Sequence, residues 1–169
     1  MVRDLIHLLK YHGIVVRARP LGQLLAPSLR AAIAAAGPDA VLVPIPLFRA
    51  KSRQRSFNQA EEIAREAVSA SRTNMALDTT LLARVRETKS QTGLTRHQRR
   101  ENVRGAFAVK KEKGSVKGRN IILLDDVFTT GTTAEECARV LRRAGAAKVW
   151  VVTAARVSKL ETANMNLGQ

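Results

Sequence analysis

The sequence predicts an α/β domain, a central and mostly parallel sheet flanked by helices with a small basic hood or hairpin added to it. Three observations lead there. Short apolar runs without polar alternation, such as Ala40 to Val43, Ile121 to Leu124 and the Val-Trp-Val-Val run from Val149, read as strands covered on both faces. Helical stretches fall between them, and strands alternating with helices imply parallel pairing with right-handed crossovers. A chain of 169 residues with 45% hydrophobic content suits one domain with a sizeable core.

From the N-terminus, Asp4 to His12 places Leu5, Ile6, Leu8 and Leu9 at helical spacing, and Gly13 is a plausible stop. Pro20 fits a helix start. Leu21 to Ala36 is apolar at Leu21, Leu24, Leu25, Leu29 and Ile33 and ends at the breaker Gly37-Pro38. The Ala40 to Val43 strand leaves through the stiff Pro44-Ile45-Pro46. A basic loop with Arg49, Lys51, Arg53 and Arg55 then leads into a helix over Asn58 to Ala70, apolar at Ile63, Ala64, Ala67 and Val68. Leu77 to Val85 reads as a strand. Glu87 to Leu94, with Gly93 and no apolar period, reads as a mobile loop, and Thr95 caps a short helix over Arg96 to Val103 that Gly105 ends. Ala106 to Val109 is a strand, and Lys110 to Lys117 reads as the turn of a basic hairpin returning into the strand at Ile121. A helix over Thr133 to Ala144 has Arg142 and Arg143 in its last turn and Gly145 as its cap, a strand covers Lys148 to Ala155, and Ser158 to Gln169 is a polar tail. The organisation expected is one domain over 1–157, with N-terminal helices in 1–37 and a flexible loop and hood in 84–119, and then a tail over 158–169.

The chemistry concentrates in Ile-Ile-Leu-Leu-Asp-Asp-Val-Phe-Thr-Thr-Gly-Thr-Thr, residues 121–133. Asp125 and Asp126 stand where a parallel strand delivers its C-terminal end to the ligand crevice of an open α/β sheet. Backbone N–H groups around Gly131 and at the helix start, with the hydroxyls of Thr129, Thr130, Thr132 and Thr133, can surround a phosphate monoester that the helix dipole also favours. The carboxylates suit ribose hydroxyls and a hard divalent cation. A capping turn with a Thr N-cap and Glu135 and Glu136 in the first turn competes with this reading, yet two acids, four threonines and a glycine exceed what a cap needs. The basic loop after Pro46 is a candidate pyrophosphate clamp, because Arg and Lys neutralise phosphate oxygens. A solvated basic loop is the alternative.

The formal charge is +15, which implies a polyanionic partner or substrate without choosing among nucleic acid, nucleotide, pyrophosphate and acidic membrane surface. Residues 84–119 hold twelve Lys or Arg against Glu87, Glu101 and Glu112, a segment able to close over a polyanion. The single cysteine, Cys137, excludes an internal disulfide and any multi-cysteine zinc site, fits a reducing cytoplasm and reads as core. His7, His12 and His97 lack metal-ligand spacing. No apolar run reaches membrane-spanning length and no signal-peptide pattern opens the chain, so a soluble cytoplasmic protein is expected, with no membrane partner.

The 121–133 stretch resembles the phosphoribosyl pyrophosphate (PRPP) binding motif of type I phosphoribosyltransferases. The resemblance narrows to the ComF family through Lys10-Tyr11-x-Gly13, Val43-Pro-Ile-Pro46, Arg53, Arg55-x-Phe57-Asn58-Gln59, and Arg84-x-Arg86-x-Thr88-x-x-Gln91-x-x-Leu94 with Arg99, Asn102, Gly105, Ala106 and Phe107. Two departures stand out. Ser56 replaces the Gly usual there, and the chain starts at Met1-Val-Arg-Asp without the cysteine-rich zinc-binding segment with which ComF-type proteins generally begin; a natural short form, a misplaced start codon and a trimmed chain are all open.

The resemblance implies the type I phosphoribosyltransferase fold and transfer of phosphoribose from PRPP, with magnesium, to an unidentified acceptor with release of pyrophosphate. In that frame Asp125, Asp126 and Arg84 are the catalytic residues, and Asp125 and Asp126 with Thr129, Thr130, Gly131, Thr132 and Thr133 hold ribose and 5-phosphate. Leu47, Arg49, Arg53 and Arg55 hold pyrophosphate, Arg86, Lys89 and Gln91 belong to the flexible loop, and Asp125 and Asp126 are the metal ligands. A homodimer is compatible. Two other classes stay open: a competence or DNA-uptake protein binding single- or double-stranded DNA on the same fold, and a regulator that senses PRPP without turning it over. Aromatic content of 4% argues against a stacking platform for single strands and leaves backbone binding open.

Overall fold

The computed structural model describes residues 18–48, 58–91, 93–110, 116–128 and 130–156. The expected helix over Asp4 to His12 and the tail after Ser158 lie outside them. Helix α1 spans Ala18–Ala36 and buries Ala18, Leu21, Gly22, Leu25, Ala26 and Leu29, an apolar stripe at i, i+3, i+4, i+7, i+8 and i+11 that sets it against the sheet. Pro20 sits in its first turn and Pro27 inside it, on the exposed side, where the missing N–H faces away from the core. Helix α2, Gln59–Ser71, starts at Asn58, whose side chain accepts from the Ala60 N–H. The helices α1 and α2 cross closely: a Cβ placed on Gly22 would lie 2.4 Å from Glu66 Cβ and 2.8 Å from the Ala67 nitrogen.

Strand β1 (Val41–Pro44) lies between β2 (Ala76–Leu77) and β5 (Asn120–Phe128), and β6 (Lys148–Arg156) completes a four-stranded sheet in the order β2-β1-β5-β6. All three pairings are parallel, as the alternation of elements predicts. Pro44 is tolerated in an inner strand because β2 reaches only Val41 and Leu42, so no ladder bond is lost on that side. Side-chain alternation along β5 splits the core in two. Ile122 and Leu124 join the cluster under α1 and α2, and Ile121 and Leu123 join the cluster under helix α4 (Thr132–Arg143).

Two expectations about the middle of the chain are corrected. Leu77 to Val85 is not one strand, because Asp78 breaks it: its Oδ1 accepts from the N–H groups of Thr80 and Leu81 and from the Thr80 hydroxyl, a local turn that diverts the chain out of the main sheet. Beyond this turn the chain forms β3 (Leu82–Arg84), antiparallel to β4 (Phe107–Val109), with helix α3 (Arg96–Val103) in the connection between them. The hairpin is therefore β3 with β4, and β4 does not return into β5, whose partners are β1 and β6. Helix α3 begins in a full capping box, Thr95 with Gln98.

Candidate functional site

The end of β5 is where the sheet opens. Pairing with β1 stops at Leu124, whose carbonyl accepts from the Ile45 N–H at 2.9 Å, whereas pairing with β6 runs on to Phe128. Asp125 and Asp126 therefore lie within the strand, which continues past them, but beyond the end of β1. Both are half-buried. The alternation that separates Leu123 from Leu124 sends the two carboxylates to opposite faces, Asp125 to the α4 side and Asp126 to the α1 and α2 side. Asp125 Oδ1 accepts from the Asp126 N–H at 2.9 Å.

The loop after the strand enters α4 without a side-chain cap. Gly131 is the N-cap residue at φ 75°, a left-handed conformation that glycine adopts at no steric cost, and among the described residues no side-chain cap bond closes the helix start. The first intrahelical donor is the Glu135 N–H, to the Gly131 carbonyl at 2.8 Å. The N–H groups before it point out of the helix end, and that is what an anion needs. The capping reading with a Thr N-cap is thereby set aside. Thr130 and Thr132 hydroxyls lie 3.1 Å apart, Thr132 is buried, and Thr133 Oγ1 accepts from Gln91 Nε2 at 3.1 Å. Thr129 lies outside the described residues.

Arg84 is the inner wall. Its guanidinium donates to the Thr88 hydroxyl and stands over the Phe107 ring, 5.4 Å from the centroid, a cation–π distance. Its backbone bridges to Phe48, two residues past Pro46, so β3 meets the exit of β1. Burial lowers the Arg84 pKa from its ordinary value, and nearby Cys137 and Asp125 work the other way. Burial also holds the Cys137 thiol well above its usual range, with the Asp125 charge adding to the effect. Cys137 is thus a neutral core group, and Asp125 and Glu87 are the carboxylates whose charge favours the Arg84 cation. The Arg84 Nε is buried and makes no hydrogen bond.

The stretch after β3 is fastened to α3. Arg86 donates to the carbonyls of Asn102 (3.0 Å) and Arg104 (2.7 Å), closing the C-terminal end of α3, where free carbonyls attract a cation. Asn102 clasps Lys89 through both backbone groups, accepting from its N–H at 3.1 Å and donating to its carbonyl at 2.9 Å. Glu135 and Glu136 then tie α3 to α4: Glu135 pairs with Arg100 at 3.2 Å, and Glu136 accepts from the Gly105 N–H at 2.8 Å.

The structure thus gathers Asp125, Arg84, Gln91 and the Thr130 to Thr133 turn on one side of the sheet's C-terminal edge. Leu47 is half-buried at the exit of β1. Arg49, Arg53 and Arg55 lie outside the described residues. Sequence reasoning missed the parts played by Thr88, Asn102 and Glu136. Thr88 stands in the sequence motif without a role, and Glu136 only as a first-turn acid; at 5% and 8% exposed, both show what they do only once their partners are known.

Comparison with known proteins turns this geometry into a family assignment. Residues 13–165 match the family model described as phosphoribosyl transferase domain. The chain belongs to that family. Its relatives identify it as a ComF-type member: it is 34% identical over 151 residues to the DNA utilization protein YhgH of Escherichia coli strain K12, covering 87% of this chain and 63% of that one. It is 32% identical over 123 residues to competence protein F of Haemophilus influenzae, covering 70% of this chain and 51% of the relative. The chain therefore spans roughly half to two thirds of the length of these curated relatives. Among solved structures, a hypoxanthine phosphoribosyl transferase of Trypanosoma cruzi superposes with a TM-score of 0.52 at 12% identity, over 84% of this chain and 74% of that one. The UMP synthase of Leishmania donovani gives a TM-score of 0.50 at 21% identity, over 97% of this chain and 27% of that one. At these identities the likeness concerns the type I phosphoribosyltransferase fold. The ComF-type chain has no helix, among the described residues, that is long and apolar enough to cross a membrane.

Proposed function

We propose that this ComF-type chain binds PRPP with magnesium and transfers its phosphoribosyl group to an acceptor. The observation that carries the reading is the pairing of two acids beyond the end of β1 with an uncapped helix start at Gly131. In this reading the Thr130 to Thr133 turn, with Thr129, holds the 5-phosphate, and Asp125 and Asp126 receive the ribose hydroxyls. Leu47, Arg49, Arg53 and Arg55 cover the pyrophosphate. Among the described residues no three His, Cys, Asp or Glu side chains converge as a metal cage. Magnesium is usually held by one or two carboxylates together with substrate phosphates, so a cation arriving with PRPP would be held from this chain by Asp125 or Asp126, whose carboxylates leave the strand on opposite faces, and would supply neutralising charge for the leaving group.

The bond from the anomeric carbon to pyrophosphate breaks, a bond to the acceptor forms, and the acceptor's proton is released. No protein nucleophile is needed. The chain's task is to position the reactants and stabilise developing charge. Arg84 acts as a positioning residue, its bond to Thr88 seating the segment that carries Arg86, Lys89 and Gln91. The test is calorimetric titration of PRPP with and without magnesium, repeated on Asp125→Asn combined with Asp126→Asn. Magnesium-dependent, saturable binding weakened at least tenfold by the double change, about 1.4 kcal/mol or more, is expected. Binding no better than that of free pyrophosphate and indifferent to the carboxylates would overturn the reading. The acceptor is then found by screening nucleobases for pyrophosphate release.

A second reading has its own support. The +15 charge and the relatives' names for competence and DNA utilization support the alternative reading, a protein on this fold that binds DNA through its phosphates.

A further inference from the structure

A basic surface lies apart from the acidic pair, along the outer side of α4. Glu135, Arg139, Arg142 and Arg143 fall at i, i+4, i+7 and i+8, and with Ala138 they line an open groove of about 490 Å³. Alongside, α3 adds Arg96 and Arg100. The acids of this surface are already engaged. Glu135 takes both α3 arginines, at 3.5 and 3.2 Å, and the buried Glu136 takes Arg139 at 2.6 Å. Arg142 and Arg143 are exposed, and among the described residues no carboxylate lies within ion-pair distance of either. At the same end of the helix Lys117 packs on Gly145, its Cα 3.3 Å from where a Cβ would stand. The helix dipole rewards cations in the last turn, but it gives no reason for a continuous stripe whose like charges repel at i, i+4 spacing.

We infer that this surface binds a nucleic-acid phosphodiester backbone, an inference that rests on the second reading above and gives it a location. The groove is open and lies along one helix. The 12 residues of α4 run about 18 Å, which spans roughly five base steps at 3.4 Å. Each exposed arginine can neutralise one backbone phosphate and release its counterion, a contact set by charge. The lining holds no aromatic or large aliphatic side chain, which removes both a stacking platform and the apolar wedge that membrane-surface binding uses, and makes the contact independent of base sequence. The phosphate turn sits at the opposite end of the same helix, so the two ligands have separate residues.

The test is fluorescence anisotropy of labelled 20-nucleotide single-stranded and duplex DNA on the full chain between 50 and 200 mM salt. Three double variants are compared with wild type: Arg142→Gln with Arg143→Gln, the charge-keeping Arg142→Lys with Arg143→Lys, and the control Arg19→Gln with Arg30→Gln on the exposed side of α1. Losing two phosphate contacts should weaken binding at 50 mM salt at least tenfold and lower the salt slope by about 1.4 to 1.8, at roughly 0.7 to 0.9 per contact. The lysine pair and the α1 control should stay near wild type, and all variants should keep the wild-type circular dichroism and thermal midpoint. Equal losses in the control would reduce the effect to bulk charge and overturn the inference, as would unchanged binding in the glutamine pair. If wild type binds no DNA, the second reading falls as well; if it binds anionic phosphatidylserine vesicles instead, the surface belongs to a membrane and the inference is overturned.

Discussion

Replacing Glu136 should show how the segment beside the Thr130 to Thr133 turn is held in place. Its carboxylate is 8% exposed and does two jobs, accepting from the Gly105 N–H at 2.8 Å and receiving Arg139 through bonds of 2.6 and 2.7 Å. A hydrogen bond from an N–H to a charged acceptor contributes about 1.5–3 kcal/mol, and because Gly105 is exposed, water recovers part of it, which favours the lower figure. The Arg139 side chain is 41% exposed, so the ion pair adds no more than about 1 kcal/mol. Truncation also removes a packed methylene, worth about 0.8 kcal/mol. Glu136→Ala should therefore cost roughly 2–3 kcal/mol, Glu136→Gln about 1 because an acceptor for Gly105 survives, and Arg139→Ala about 1 or less. For a chain of this size that is about 5–10 °C of thermal midpoint for the alanine variant. Urea unfolding with a common m-value gives the ranking. The pH dependence is a separate check. Arg139 first, and then the Gly105 N–H, hold the Glu136 pKa below the ordinary carboxylate value against the opposing effect of burial. A depressed folded pKa means that the stabilisation is complete above the unfolded pKa of about 4.3 and is lost as pH falls through the folded value. The difference between wild type and Glu136→Gln should then be flat from pH 6 to 8 and shrink in acid below pH 4. If Arg139→Ala costs as much as Glu136→Ala, the surface ion pair rather than the Gly105 bond holds the turn, and the reasoning fails.

The same geometry fixes three further outcomes. Gly22→Ala should lower stability by about 1–3 kcal/mol, because the added methyl meets α2 backbone and the cost of overpacking exceeds the 0.5–1 kcal/mol gained in helix propensity; an unfolding midpoint at or above wild type would contradict the close crossing. Asn102→Ala removes both clasps on Lys89, so hydrogen exchange should quicken at the Lys89 amide while α1 and α2 amides keep their protection; unchanged exchange there would refute the clasp. Cys137, fully buried and with its thiol pKa raised by burial, should resist an aromatic disulfide reagent at pH 8 until denaturant unfolds the chain, and rapid stoichiometric labelling of the native protein would show the thiol to be accessible.

How far the sequence discloses this molecule depends on whether the determining interactions are local. Ile121 to Leu124 is legible as a two-faced strand because burial on both sides leaves no polar alternation, and its two clusters confirm that reading. The helix over Arg96–Val103 is legible because Thr95 stands before it as a cap and Gly105 after it as a stop. The split between β2 and β3 depends on the conformation of a single Asp78 side chain, which no periodicity reports. The partner of β4 is a question of topology, and the apolar Ala106 to Val109 carries no mark that distinguishes β3 from β5. In the candidate site, Asp125 and Asp126 are conspicuous as adjacent letters, and adjacency suggests a paired function. A strand imposes the opposite: neighbouring residues point to opposite faces, so Asp125 acts on Arg84 from the α4 side through its charge and Asp126 faces the α1 and α2 side. Single substitutions of the two acids should for that reason give different phenotypes. Asp125→Asn removes one of the two carboxylates that favour the buried Arg84 cation and should lower both ligand affinity and stability, whereas Asp126→Asn should lower affinity with stability near wild type. Paired titrations and unfolding curves on the two variants decide it, and equal stability losses would mean that the acids do not divide between the faces.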